Sequence, residues 1–144
     1  MAENILKTFE IKVISPSGSS KAGSYKYHDD VNMVIIRCLT GDMGILPGRA
    51  PVSAVLDNGV MRVMKDGTER KMAVLGGVAS MHHDTLTILA DTALWAEDID
   101  EEDTEEEKKQ AESLFKETTD RNEKEYNKIL IKKADVKLSV VSKK

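Results

Sequence analysis

The chain has 144 residues, 40% of them hydrophobic and 32% charged, with a formal net charge of −4. That suits one small domain with an appendage and excludes both a large enzyme and a wholly disordered chain. Residues 1–96 carry ten acids and ten bases while residues 97–144 carry fifteen and eleven, and only six aromatics are present, so the basic surface and stacking platforms of a nucleic-acid binder are missing. Met1 to Phe9 lacks the charged-then-apolar order of a leader, and no window approaches the ~18 apolar residues of a membrane span. An unprocessed, soluble chain without direct membrane insertion is expected.

Along the chain, Phe9, Ile11 and Val13 alternate with Glu10 and Lys12, the period of a strand with one buried face, and Ser15-Pro16-Ser17-Gly18 ends it. Val31 to Leu39 is β-branched and nearly all apolar, which predicts a strand buried on both faces or crossing a sandwich core. Its lone cysteine, Cys38, has no disulfide partner in the chain and reads as a buried thiol. Asp57-Asn58-Gly59 and Lys65-Asp66-Gly67 carry hairpin-turn chemistry between the runs Val52–Leu56, Val60–Met64 and Arg70–Leu75. Val78 to Met81 and the alternating Leu86, Ile88 and Ala90 flank a turn at His82-His83-Asp84. So many short strands predict a β-sandwich or flattened barrel.

Near Trp95 the residue usage changes to helix formers. Asp98 or Asp100 can cap the helix start, and nine acids among the eleven residues from Glu97 to Glu107 complement the positive end of its dipole. Ala111, Leu114, Phe115 and Thr118 make one apolar stripe; after a connection at Thr119 to Asn122, Tyr126, Ile129, Leu130, Ala134, Leu138 and Val141 make another. Two amphipathic helices with so short a link predict an antiparallel hairpin over 97–144, appended to a sandwich over 1–96.

The segment Gly41-Asp42-Met43-Gly44-Ile45-Leu46-Pro47-Gly48-Arg49-Ala50-Pro51 holds three glycines and two prolines, which predicts a shaped, exposed loop rather than a strand. It lacks the Gly-Lys-Ser/Thr of a phosphate-binding loop. His82-His83-Asp84 is read as a hairpin tip and not a metal site, because strand neighbours point to opposite faces and no further His or Cys cluster completes a ligand set. The acidic runs Asp29-Asp30 and Glu101 to Glu107 lack the spacing of a calcium loop, and no combination of nucleophile, base and orienting partner points to a hydrolase.

The Gly41–Pro51 segment resembles the Gly-acid-x-Gly-x-Leu-Pro-x-His-Ala-Pro loop of the epsilon subunits of bacterial F-type ATP synthases. The likeness continues through Val74-Leu75-Gly76-Gly77-Val78 and Leu86-Thr87-Ile88-Leu89-Ala90-Asp91-Thr92-Ala93. It implies a ten-stranded flattened sandwich followed by two antiparallel helices, without an active site or cofactor. It also implies a rotor role coupling ion-driven ring rotation to ATP synthesis, on the cytoplasmic face of the cell membrane. The sandwich would touch the gamma subunit and the membrane ring of c subunits, with Gly41, Asp42, Met43, Gly44 and Arg49 as the contact loop. Arg49 stands where the family has His, and its permanent charge replaces a titrating one.

The helical arm is implied to reach the alpha/beta catalytic hexamer transiently and to restrain hydrolysis. For that contact Lys124, Lys128, Lys132, Lys133 and Lys137 are the candidates, being positive charges on one stripe. The alternative is a nucleotide-sensing regulator, since some relatives bind ATP through Ile/Leu-Asp-x-x-Arg-Ala. Here Ile99 and Asp100 are kept, but Asp103 and Thr104 replace Arg and Ala. An acid beside a polyphosphate repels it, so ATP binding is expected to be weak or absent.

Overall fold

Period-two alternation builds the first strand as expected: in β1 (Phe9–Ser15) Phe9, Ile11 and Val13 are buried while Lys12 and Ile14 face outward. The computed structural model describes residues 7–18 and 25–142. Residues 1–6 of the segment read as leader-free, and residues 143 and 144 of the expected helical arm, lie outside these. The chain divides into two compact units between Trp95 and Ala96.

In the first unit β1 is followed by β2 (Ser17–Gly18), β3 (Tyr25–Val31), β4 (Met33–Cys38), β5 (Gly41–Ile45) and β6 (Val52–Val55). Then come β7 (Gly59–Lys65), β8 (Thr68–Leu75), β9 (Val78–His82), β10 (Thr85–Leu89) and β11 (Thr92–Trp95). Among the described residues these form one sheet in the order β3-β1-β10-β9-β6 and another in the order β2-β11-β8-β7-β4-β5. The ten-stranded sandwich is therefore present, with the two-residue β2 as an addition at one edge. Ile11, Val13 and Ile88 from the first sheet meet Val34, Ile36, Met61, Val63 and Met72 from the second in one buried core. Each such aliphatic contributes roughly 1.5–3 kcal/mol by leaving water.

An aromatic and ionic clasp links the two sheets. Tyr27 on β3 meets Trp95 on β11 edge to face with centroids 4.9 Å apart, and the Arg70 guanidinium of β8 lies 3.7 Å above the Trp95 ring. The Trp95 indole N–H donates to the Tyr25 hydroxyl. Asp29 accepts from the Tyr27 hydroxyl at 3.2 Å and from Lys65 Nζ on β7 at 2.7 Å.

Three expectations need correction. The run Val31 to Leu39 is not one strand buried on both faces. It breaks at Asn32, whose side chain donates to the Lys7 carbonyl and accepts from the Asp66 N–H, and beyond the break Val34, Ile36 and Cys38 face the core while Arg37 is exposed. Asp57-Asn58-Gly59 makes no hairpin, because β6 and β7 belong to different sheets; the segment is a crossover. Lys65-Asp66-Gly67 does turn a tight hairpin, with φ of 50° at Asp66 and 80° at Gly67. Residues 41–45, assigned to the loop, are strand β5, in which Ile45 is buried and the backbone pairs with β4. Strand β3, not foreseen from the sequence, is rich in polar residues and carries no sustained apolar alternation.

The second unit opens with a 3₁₀ turn at Ala96–Asp98, followed by α1 (Glu101–Glu117) and α2 (Arg121–Ser142). Asp100 caps α1 by accepting from the Asp103 N–H at 3.1 Å, the role foreseen for Asp98 or Asp100. The link is shorter than expected, and Asp120 already caps α2 through the Asn122 N–H at 2.9 Å. Ion pairs Lys108–Asp135 at 2.6 Å and Lys137–Glu107 at 3.7 Å tie the first half of α1 to the second half of α2, as antiparallel helices require. The predicted stripe of α2 holds only in part: Ala134 is buried at 2% exposed, but Tyr126 is 62% exposed and Ile129 49%, and Asn127, at 5%, is buried near them instead. Asn127 is satisfied by donating to the Glu123 carbonyl at 3.0 Å.

Candidate functional site

The β4–β5 hairpin and the loop after it carry the first candidate surface. Arg37 and Asp42 are register partners on its outer face, and their side chains form an exposed ion pair at 3.3 Å. Such a pair is worth ~0–1 kcal/mol, so it orients Asp42 more than it stabilises the fold. Gly41 has φ of 123°, and Met43 packs inward against the core. Beyond β5 the chain makes a β-turn in which the Arg49 N–H donates to the Leu46 carbonyl at 3.2 Å. Pro47 and Gly48 sit at its centre with φ of 82° at Gly48, the type II pattern. Leu46 and Arg49 are exposed beside it.

The His82-His83-Asp84 tip lies against this turn, since Gly48 N–H donates to Asp84 Oδ1 at 2.8 Å. The tip is a two-residue turn with φ of 50° at His83 and 55° at Asp84. His83 is thus outside the strand, and the two imidazoles approach to 3.9 Å between centroids instead of pointing to opposite faces. Among the described residues no group of three His, Cys, Asp or Glu is placed to hold a metal ion. Cys38 is buried, and burial pushes its thiol up from the usual range, with the Asp42 charge adding to the effect.

A second surface appears only once the register is known. On the outer face of the five-stranded sheet Ile14 pairs with Leu89, Leu89 with Val78, and Val78 with Val55. These four are 40%, 47%, 46% and 55% exposed. Neighbouring strands lie about 4.8 Å apart, so the row is about 14 Å long. Leu39, 66% exposed, adjoins its end by donating its N–H to the Val55 carbonyl. Isolated surface apolar residues are ordinary, but a contiguous band is a docking feature. The signal in the sequence was an apolar residue at an outward position of four separate strands, which no single-strand pattern connects.

In the helical unit Asp100, Asp103 and Thr104 are a helix start. Thr104 is buried and donates its hydroxyl to the Asp100 carbonyl at 2.7 Å. Asp100, followed by desolvation and by Glu106 and Glu107, raises the Asp103 carboxyl above the usual range, the response of a group in an already negative field. Lys124, Lys128 and Lys132 are exposed on α2. Lys124 sits 5.5 Å from the Phe115 ring centroid, and Lys137 is drawn into its pair with Glu107. The lysine stripe is therefore not a uniformly solvated face, since Lys124 and Lys137 both reach across to α1.

These features describe a β-sandwich protein with a helical-hairpin appendage. Residues 8–96 match the family described as ATP synthase, Delta/Epsilon chain, beta-sandwich domain. The chain is 35% identical over 135 residues to the ATP synthase epsilon chain of Bacillus velezensis, covering 94% of this chain and 98% of that one. It is 36% identical to that of Bacillus subtilis, covering 80% and 83%. Its fold is shared with a chain in the Euglena gracilis mitochondrial ATP synthase, described as an OSCP/F1/c-ring structure, at a TM-score of 0.70 and 20% identity, over 88% of this chain and 78% of that chain. The chain belongs to the ATP synthase delta/epsilon family, among the epsilon chains of bacterial F-type enzymes.

Proposed function

We propose that the chain is a non-catalytic central-stalk subunit that couples ring rotation to ATP synthesis, peripheral to the cytoplasmic face of the membrane. The apolar row Ile14-Leu89-Val78-Val55 carries this reading, because an exposed band across four strands suits a stable protein partner, assigned here to the gamma subunit. The loop 41–51 faces the c-ring, with Asp42 and Arg49 as its charged contacts. Among the described residues no helix is long and apolar enough to cross a membrane, which suits attachment through partners. Affinity purification from native membranes is expected to recover gamma in equal amount; recovery of the chain alone under mild conditions contradicts the reading.

The helical arm brakes ATP hydrolysis by reaching the alpha/beta hexamer, with Lys128, Lys132 and Lys133 supplying positive charge. Reversing these three to Glu raises hydrolysis in the reconstituted complex and leaves assembly intact. Salt near 1 M, where the Debye length is about 3 Å, has the same effect on the unmodified complex. If neither treatment nor removal of the arm changes the rate, there is no brake. Nucleotide sensing is disfavoured by the negative field at Asp103, and micromolar ATP affinity by calorimetry would reverse that judgement.

A further inference from the structure

We infer that Asp84 is a positioning residue for the ring-facing turn, holding Gly48 and therefore Arg49 in the geometry that a partner meets. The inference rests on the proposed ring-facing role of the 41–51 segment and adds a residue 36 positions away in sequence from Gly48.

A backbone turn and two hydrogen bonds meet at the Asp84 tip. Its backbone takes φ of 55°, which Asp tolerates better than most residues, and this closes the β9–β10 hairpin. Its carbonyl accepts the Glu10 N–H at 2.9 Å, anchoring the tip to the start of β1. Its carboxylate accepts the Gly48 N–H at 2.8 Å. In a type II turn the closing bond uses the fourth residue's N–H, here Arg49, and leaves the third residue's N–H directed outward. That outward amide is the one Asp84 takes. The turn is thus closed from within by Leu46 and Arg49 and held from outside by a carboxylate on a rigid hairpin.

A hydrogen bond from a backbone amide to an ionised acceptor is among the stronger kinds. Without it, the turn keeps its local shape but is free to swing on the hinge between β5 and β6. Arg49 follows Gly48 directly, so that swing moves the guanidinium relative to Asp42, which is fixed on β5 by its pairing with β4. A partner that contacts both charges then finds them at a variable spacing and loses affinity to the cost of ordering them.

The test uses full-length chain bearing Asp84→Ala or Asp84→Asn, the latter keeping an acceptor oxygen and the tolerance for positive φ. In the isolated chain, the Gly48 amide is expected to exchange on the order of tenfold faster in Asp84→Ala and at an intermediate rate in Asp84→Asn, whose neutral oxygen makes a weaker bond. Assembled with gamma, Asp84→Ala is expected to bind purified c-ring several-fold more weakly, Asp84→Asn to restore binding in part, and gamma affinity to be unchanged in both. Unaltered Gly48 exchange in Asp84→Ala overturns the latch. Faster exchange with undiminished ring binding, in a background where Arg49→Ala does weaken it, overturns the positioning role. If Arg49→Ala and Asp42→Ala both leave ring binding intact, the ring-facing reading fails and the positioning role falls with it, although the Gly48 exchange result still stands.

Discussion

Single residues decide how the sandwich responds to pH, and the clasp between its sheets is where they do so. Burial first, and then the Asp29 charge, push the Tyr27 phenol up to about 12 from 10.0. The bond to Asp29 likewise raises Lys65 above its ordinary value, and the same bond holds Asp29 below the usual carboxylate range. For Tyr27 and Lys65 the folded value exceeds the unfolded one, so their contribution is complete below pH 10 and is lost as pH rises through the folded values, toward 12 for Tyr27. Asp29 works in the opposite sense: its contribution is present above 3.8 and is lost as pH falls through the depressed value. Thermal melts should therefore show a decline in stability between pH 10 and 12 that is shallower in Tyr27→Phe and shallower still with Lys65→Met added. An equal decline in all three proteins contradicts the assignment. Nothing in the residue order announces this clasp, because its members come from four strands whose adjacency exists only after folding.

At the scale of elements, glycines with positive φ separate turns that need space from turns that need only backbone freedom. Gly77, between β8 and β9, has φ of 114°, and a Cβ there would meet the Leu89 carbonyl oxygen at 2.1 Å and the Ala90 Cα at 2.8 Å. Gly48 has φ of 82° with nothing within 4 Å. Urea unfolding is expected to give a loss of about 1–2 kcal/mol for Gly48→Ala and roughly 3 kcal/mol or more for Gly77→Ala; equal losses contradict the account. Local chemistry made much of the fold legible: alternation marked β1 and β10, Lys65-Asp66-Gly67 marked a hairpin, and Asp100 marked a helix start. What escaped was set by tertiary pairing. Gly41 to Ile45 reads as a loop by composition but is a strand because β4 supplies its hydrogen bonds. Asp57-Asn58-Gly59 reads as a hairpin but joins two sheets. The first turns of the α2 stripe, Tyr126 and Ile129, were misplaced because Asn127 hides its polarity in its own helix backbone and is buried there instead.

For the whole molecule, the loop half of the candidate site was visible as a motif, while the apolar row was not, because its four residues come into line only through three separate strand registers. That row bears the central claim, a sandwich docked on the gamma subunit. An acid at its middle puts an unpaired charge into the buried centre of the interface, where hot-spot losses are of order 2 kcal/mol or more per residue. Both Leu89 and Val78 are about half exposed in the isolated chain, so replacing them leaves the core untouched. The most direct measurement is the affinity of purified gamma for the full chain and for Leu89→Glu combined with Val78→Glu, with thermal melts of both to verify folding. The account predicts tight binding by the unmodified chain and a loss of at least about 100-fold in the folded variant. Equal affinity for gamma in the two proteins would contradict it.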